Sequence, residues 1–154
     1  MQNCLKDIPH DGSFLFLEEK CHNILNQNKT IIQYKKGEVI LKQGTIANNV
    51  VYTKNGLYKL TIEGEQKNAI LTFKGSKVFL GLSSVYYNNN TYLYSVTALE
   101  DCEVEMYDMK SFKNVLNSNI QFANEIIKIL NHNSARFFMR FMKTTGFVMV
   151  LKRE

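Results

Sequence analysis

The sequence predicts one mainly β domain with flanking helices, in which the strands form a small antiparallel barrel or sandwich. Three observations support this prediction. The 154 residues are enough for one domain with a sizeable core. Between residues 30 and 108, short apolar or alternating runs are separated by glycine-containing turns. After Asp108, the apolar residues recur with helical spacing.

The predicted segments follow each other along the chain. Residues 1–29 form an N-terminal helical segment, 30–108 the β-barrel, 109–143 a short and a long helix, and 144–154 a tail. Within the first segment, residues 12–25 have the apolar spacing of a short amphipathic helix that covers the barrel.

The barrel is built from seven predicted strands with two marked turns. The strands lie at residues 30–34, 39–42, 49–53, 57–61, 67–73, 92–98 and 103–108. Asn55-Gly56 predicts a two-residue hairpin because both residues accept a positive φ. Glu63-Gly64 marks a second hairpin.

Two helices follow the barrel. Ser111 is the predicted N-cap of a short helix ending at Leu116, and Asn119 that of a long helix ending near Lys143. The apolar stripe of the long helix can pack on the barrel or on a parallel partner helix; its heptad-like spacing and phenylalanines favour a homodimer. The predicted dimer interface consists of Ile126, Ile127, Leu130, Phe137, Phe138 and Phe141.

The net charge of +5 is unevenly distributed. Residues 30–108 hold eight basic and eight acidic side chains, whereas residues 109–154 hold eight basic and two acidic ones. We interpret the basic residues of the long helix as a solvated face, and a weak role toward DNA or an acidic partner stays open. They are Lys128, Arg136, Arg140 and Lys143.

Composition also indicates where the protein works. No window has the uninterrupted apolar length of a membrane span, and the N-terminus lacks a secretory signal. Cys4, Cys21 and Cys102 are too few and too irregularly spaced for a disulfide framework, which predicts free thiols and leaves a redox role open. These observations predict a cytoplasmic protein without membrane partners.

The sequence does not predict an enzyme. A metal-binding barrel enzyme of the cupin type needs several histidines on its strands, and His10, His22 and His132 all lie outside the predicted strands. The sequence contains no nucleophile elbow, P-loop, HExxH or CxxC motif. Neither a catalytic residue nor a metal site is therefore predicted.

Several local motifs, in this order, give the chain a family resemblance. They are Lys36-Gly37-Glu38, Gln43-Gly44, Asn55-Gly56 followed by Leu57-Tyr58-Lys59-Leu60, Gly75, and Ala98-Leu99-Glu100-Asp101-Cys102-Glu103. Over about residues 12–143, the chain resembles the sensor domain of Crp/Fnr-family transcription regulators. The resemblance implies a double-stranded β-helix (jelly-roll) barrel of the cyclic-nucleotide-binding-domain type, with a long dimerisation helix.

Residues 75–84, GSKVFLGLSS, resemble the phosphate-binding cassette of that family and are called the cassette below. In the family, Phe-Gly-Glu is followed about a dozen residues later by an arginine; the glutamate binds the ribose hydroxyl and the arginine the cyclic phosphate. Here Phe79 matches, Leu80-Gly81-Leu82 replaces the Gly-Glu pair, and Tyr92 lies near the arginine position. The absence of both charged residues disfavours a cyclic nucleotide and leaves the ligand unidentified.

The resemblance still assigns candidate ligand-binding residues. They are Phe79, Gly81, Leu82, Ser83, Ser84, Tyr92, Tyr94, Asn131 and Ser134. The serines can instead cap a helix, the tyrosines can be packing residues, and the polar residues of the long helix can set its register.

Two functions are compatible with these features. The first is the ligand-sensing, dimerising domain of a Crp/Fnr-like transcription regulator with a degenerate cyclic-nucleotide site and a small-molecule effector. The family places a winged helix-turn-helix domain after the long helix, and residues 144–154 are too few to form one, so DNA is a partner only of a longer form. The alternative is a stand-alone, non-catalytic interaction module that dimerises with and regulates another protein.

Overall fold

The structure, a computed structural model, describes residues 19–87, 89–144 and 146. Three α-helices and eight strands make up the described part of the chain, with a short 3-10 turn, Leu82–Ser84, after the sixth strand. The elements are α1 Glu19–Gln27, β1 Lys29–Tyr34, β2 Val39–Leu41, β3 Asn49–Thr53, β4 Tyr58–Glu63, β5 Asn68–Lys74, β6 Phe79–Leu80, β7 Ser95–Ala98, β8 Cys102–Asp108, α2 Met109–Ser118 and α3 Ile120–Thr144.

The strands form two four-stranded antiparallel sheets. The first sheet has the order β1-β8-β3-β6 and the second β2-β7-β4-β5. Apart from β4 and β5, consecutive strands lie in different sheets, so the chain crosses repeatedly between the sheets, as in a jelly roll. This confirms the predicted mainly β fold with a long C-terminal helix.

The two predicted hairpins have different outcomes. Glu63 pairs with Asn68, so the turn after Glu63 does join β4 to β5. The Asn55-Gly56 prediction is wrong as a two-residue hairpin, because β3 and β4 lie in different sheets. Asn55 Oδ1 instead accepts a hydrogen bond from the Glu103 backbone N–H (2.8 Å), which fixes a crossing between the sheets.

Gly56 makes this crossing sterically feasible. Its φ is +99°, and an added Cβ would lie 2.5 Å from the Cβ of Cys102. The expected positive φ is therefore found at Gly56 but not at Asn55, and the pairing of the flanking strands depends on long-range contacts that no local motif encodes.

Several other predicted helix and strand boundaries differ from those in the structure. The predicted strand 92–98 begins only at Ser95, because the backbone of Tyr92 bonds to Gly44 and Thr45 in a neighbouring loop. Strand β6 was missed because two residues are too short for a periodic pattern. Helix α2 starts earlier than predicted, since Asp108 rather than Ser111 is its N-cap and accepts from the Ser111 N–H (2.9 Å).

The predicted N-cap of the long helix is confirmed. Asn119 Oδ1 accepts a hydrogen bond from the Phe122 N–H (2.8 Å), and α3 runs from there to Thr144. Of the predicted N-terminal helix 12–25, residues 12–18 lie outside the described part. The remainder belongs to α1, whose Cys21 and Leu25 are buried and which packs against α2.

A row of aromatic rings connects the barrel to the helices. Phe112 of α2 packs edge-on against Phe79 of β6 and Phe122 of α3, with ring centroids 5.9 and 5.6 Å apart. Edge-to-face pairs add stabilisation beyond their burial. The start of α3 is thereby anchored to the cassette strand through α2.

Candidate functional site

A cavity of about 330 Å³ lies between the second sheet, the cassette and α3. A volume of this order is typical of small-molecule sites, which are concave, mainly apolar and few per protein. The lining residues are Leu60, Ile62, Leu71, Thr72, Lys74, Phe79, Leu80, Leu82, Ser83, Leu93, Tyr94, Leu130, Asn133, Ser134, Arg136, Phe137 and Arg140.

The cassette turns at Gly81, at the edge of this cavity. Gly81 has a φ of +86° and precedes the 3-10 turn Leu82–Ser84. An added Cβ would lie 3.4 Å from side-chain atoms of both Leu41 and Tyr92. Backbone conformation and close packing therefore both favour glycine at this position.

The backbone N–H of Gly81 already has a partner. It donates to the hydroxyl oxygen of Tyr94 at 2.8 Å. Burial raises the pKa of Tyr94, and hydrogen bonds from Gly81 and Ser83 act against this effect. The neutral Tyr94 hydroxyl thus accepts the hydrogen bond of a backbone N–H that an anion at the cassette would need as its own donor.

Tyr92 has a different position from that expected of a ligand. It is buried, its hydroxyl donates to the carbonyl oxygen of Asn49 (2.8 Å), and the Asn49 N–H donates back to it (3.1 Å). Tyr92 does not line the cavity and instead ties the segment before β7 to the start of β3.

The structure brings five of the nine candidate ligand residues together. Phe79, Leu82, Ser83, Tyr94 and Ser134 line the cavity. Gly81, Ser84, Tyr92 and Asn131 do not. Ser84 is buried with its hydroxyl unpaired among the described residues, and Asn131 is exposed on α3.

The sequence analysis missed the charged part of the site. Lys74, Arg136 and Arg140 line the cavity, together with Asn133, whereas we had interpreted the two arginines as part of a solvated face. Asn133, Arg136, Phe137 and Arg140 follow the three- and four-residue spacing of one helix face. That spacing was a usable signal, but the sequence did not show which face meets the barrel.

The electrostatic character of the cavity is one-sided. Among the described residues that line it, none is acidic and three are basic. Arg140 donates a hydrogen bond to the carbonyl oxygen of Leu71, so it also links the second half of α3 to β5. An anionic group meets favourable charge here and a cationic group does not.

The residues of the predicted dimer interface divide into two groups. Ile126 is buried in the core of the chain, and Leu130 is half-buried at the cavity. Ile127, Phe137, Phe138 and Phe141 are each more than half exposed. The exposed group, together with Met139, leaves a large apolar surface on α3.

Cys21 and Cys102 are buried free thiols, and Cys4 lies outside the described residues. Within residues 19–87, 89–144 and 146, no group of three or more His, Cys, Asp or Glu side chains could hold a metal ion. No helix in this part of the chain is long and apolar enough to cross a membrane.

Comparison with known proteins shows to which family the chain belongs. The family model described as cyclic nucleotide-binding domain matches residues 31–119. The chain belongs to this family. Its match spans the strands and α2, and thus includes the cassette but not most of α3. Domains of this family in Crp/Fnr regulators are typically non-enzymatic sensors.

Solved structures of Crp/Fnr-type regulators share the fold. The sensor domain of the transcriptional regulator DNR from Pseudomonas aeruginosa has a TM-score of 0.69 at 15% identity, with 92% of this chain and 90% of that chain covered. A putative crp/fnr-family regulator from Eubacterium rectale has a TM-score of 0.75 at 13% identity, with 84% and 61% covered. Catabolite Activator Protein from Thermus thermophilus has a TM-score of 0.70 at 15% sequence identity, with 86% of this chain and 62% of that chain covered.

The matched structures differ in how much of their own length this chain covers. The chain spans about three fifths of the length of the latter two regulators and nearly all of the isolated DNR sensor domain. Comparison with curated protein sequences finds no match. The resemblance to the Crp/Fnr sensor domain is therefore confirmed at the level of the fold.

Proposed function

We propose that this chain is the ligand-sensing, dimerising domain of a Crp/Fnr-like transcription regulator, in which the cavity under α3 receives an effector other than an ordinary cyclic nucleotide. The observation that carries the proposal is the position of this cavity. It lies between the barrel, which the family uses for sensing, and the second half of α3, which presents exposed phenylalanines to a partner.

The cassette supports a degenerate cyclic-nucleotide site. In the described part of the chain, the lining has no carboxylate that could accept the ribose hydroxyl, and Tyr92, near the expected arginine position, is a buried packing residue. The Gly81 N–H is occupied by Tyr94. Hydrogen bonds to charged groups each contribute about 1.5–3 kcal/mol, so losing two weakens cyclic-nucleotide affinity by orders of magnitude.

The exposed apolar residues of α3 support a homodimer. Ile127, Phe137, Phe138 and Phe141 are the part of the predicted interface that is more than half exposed in the single chain, and we omit the buried Ile126. Monomeric soluble proteins rarely expose large contiguous apolar surfaces. A second copy of α3, packed in parallel, would cover them.

In such a dimer, the effector and the partner helix would act on the same element. Leu130, Ser134 and Phe137 line the cavity, while Phe138 and Phe141 face outward from the same stretch of α3. A ligand that binds one position of this stretch better than another shifts the population toward that position. Regulation of DNA-reading domains elsewhere in a regulator would follow from that shift.

The experiment that tests this proposal combines sedimentation equilibrium with thermal unfolding in a panel of cyclic nucleotides. We expect a dimer and, for cAMP at micromolar concentration, no clear rise in Tm. A chain that stays monomeric at high concentration would contradict the dimer, and clear stabilisation by micromolar cAMP would contradict the degenerate site.

A further inference from the structure

We propose that the cavity binds a small anion with a mainly apolar body, of the chemical class of a medium-chain carboxylate. This inference rests on the proposed sensing function and specifies its ligand. The structural basis is the combination of a mainly apolar lining with three basic side chains and, among the residues that the structure describes, no acidic one.

The apolar part of the lining determines what the body of the ligand must be. The contributing residues are Leu60, Ile62, Leu71, Phe79, Leu80, Leu82, Leu93, Leu130 and Phe137. These nine side chains outnumber the five uncharged polar ones of the lining, which are Thr72, Ser83, Tyr94, Asn133 and Ser134. A hydrocarbon body suits such a surface, because its burial removes apolar area from water.

The size of the cavity limits the length of that body. Its volume is about 330 Å³. One water in the liquid occupies about 30 Å³, and a methylene group is of similar size, so the volume of the cavity corresponds to about eleven such groups. This is the size of a medium-chain carboxylate.

The charges determine the head group. Lys74 comes from β5, and Arg136 and Arg140 come from successive turns of α3. A guanidinium has five N–H donors, and Arg140 directs one of its nitrogens to the Leu71 carbonyl oxygen. Arginine binds carboxylates with paired, charge-assisted hydrogen bonds, which makes a carboxylate a suitable head group.

The position of these cations connects binding to sensing. An anion held by Lys74 and an arginine would bridge the edge strand β5 and the second half of α3, across the same gap that Arg140 and Leu71 already span. The bound ligand would thus hold this half of the helix in one position relative to the barrel.

The test measures binding of decanoate below its micelle concentration by isothermal titration calorimetry, with 1-decanol and decyltrimethylammonium as charge controls. We expect decanoate to bind at least tenfold more tightly than decanol and the cationic analogue not to bind. Equal affinities for the three compounds would overturn the inference, because only the head group differs among them.

Variants locate the binding site. Arg136→Gln and Arg140→Gln should each weaken decanoate binding about tenfold and leave decanol binding unchanged, which also shows that each variant is folded. Lys128→Gln, on the same helix but paired with Glu125 and outside the lining, is the matched control and should bind normally. Ser134→Trp should fill the cavity and abolish binding of both compounds.

Several outcomes would overturn the ligand class. Decanoate binding that is unchanged in both arginine variants and in Ser134→Trp would be one. Tight binding of a cyclic nucleotide with none of decanoate would be another, and the sensing function would stand. If neither decanoate nor any cyclic nucleotide binds, the ligand class fails, whereas the sensing domain is tested separately by its dimerisation in sedimentation equilibrium.

Discussion

The two halves of α3 contain the same kind of large apolar side chain but place it in different surroundings. In the first half, Phe122, Ile126 and Ile129 are buried against the core. In the second half, Phe137, Phe138 and Phe141 are each more than half exposed. The helix is thus anchored at one end and, at the other, lies over a cavity and presents an apolar face. The comparison separates residues that maintain the fold from those that are available for function.

The largest expected effect tests the anchored half. Phe122→Ala removes a fully buried ring that packs edge-on against Phe112, and we expect a loss of about 3–5 kcal/mol in the free energy of unfolding. Urea denaturation at low protein concentration measures this value. Phe138→Ala is the matched control in the second half, with an expected change within about 0.5 kcal/mol. Similar losses for the two variants would remove the distinction between the halves.

The second-largest expected loss of stability concerns the cavity beneath the second half of α3. Tyr94→Phe removes the hydroxyl that accepts from the Gly81 N–H and leaves that donor unpaired, at an expected cost of about 1–3 kcal/mol. Tyr86→Phe, at an exposed tyrosine, is the control and should change stability little. If Tyr94→Phe were as stable as the wild type in urea, the Gly81 N–H would be available to a ligand, and the cassette would be less degenerate than we propose.

The smallest expected effect concerns the N-terminal end of the anchored half of α3. Asn119→Ala removes the N-cap of α3, whose Oδ1 accepts from the Phe122 N–H, and should cost about 1 kcal/mol. Asn124→Ala, at an exposed site within the same helix, should be neutral or slightly stabilising. Thermal unfolding of both variants under identical conditions measures the difference. Equal Tm values would show that the Asn119 cap does not stabilise the start of α3.

Sequence reasoning predicted the fold better than the site for a physical reason. Strand and helix patterns depend on neighbours along the chain, and the cap at Asn119 and the positive φ of Gly56 follow from local chemistry. Which sheet each strand joins depends on long-range pairing, so Asn55-Gly56 was misread as a tight hairpin. Local sequence patterns determine where helices and strands form, and tertiary contacts determine which strands pair with each other.

The site shows the same limitation. Phe79, Leu82, Ser83, Tyr94 and Ser134 were found because the cassette and the long helix carry recognisable motifs. Arg136 and Arg140 were missed because the apolar stripe of α3 is wide enough to allow several rotations of the helix against the barrel. The burial of Phe122, Ile126 and Ile129 defines the face of α3 that meets the core, and this packing is not readable from the spacing.

The central claim is that the second half of α3 is an interface and not part of the core. Sedimentation equilibrium of the double variant Phe138→Glu, Phe141→Glu tests it most directly, with Lys128→Glu as the control on the same helix. We predict that the dimer dissociation constant rises at least a hundredfold in the double variant, because two buried charges would face their copies, while the circular dichroism of the monomer is unchanged. A double variant that dimerises as tightly as the wild type would contradict the claim.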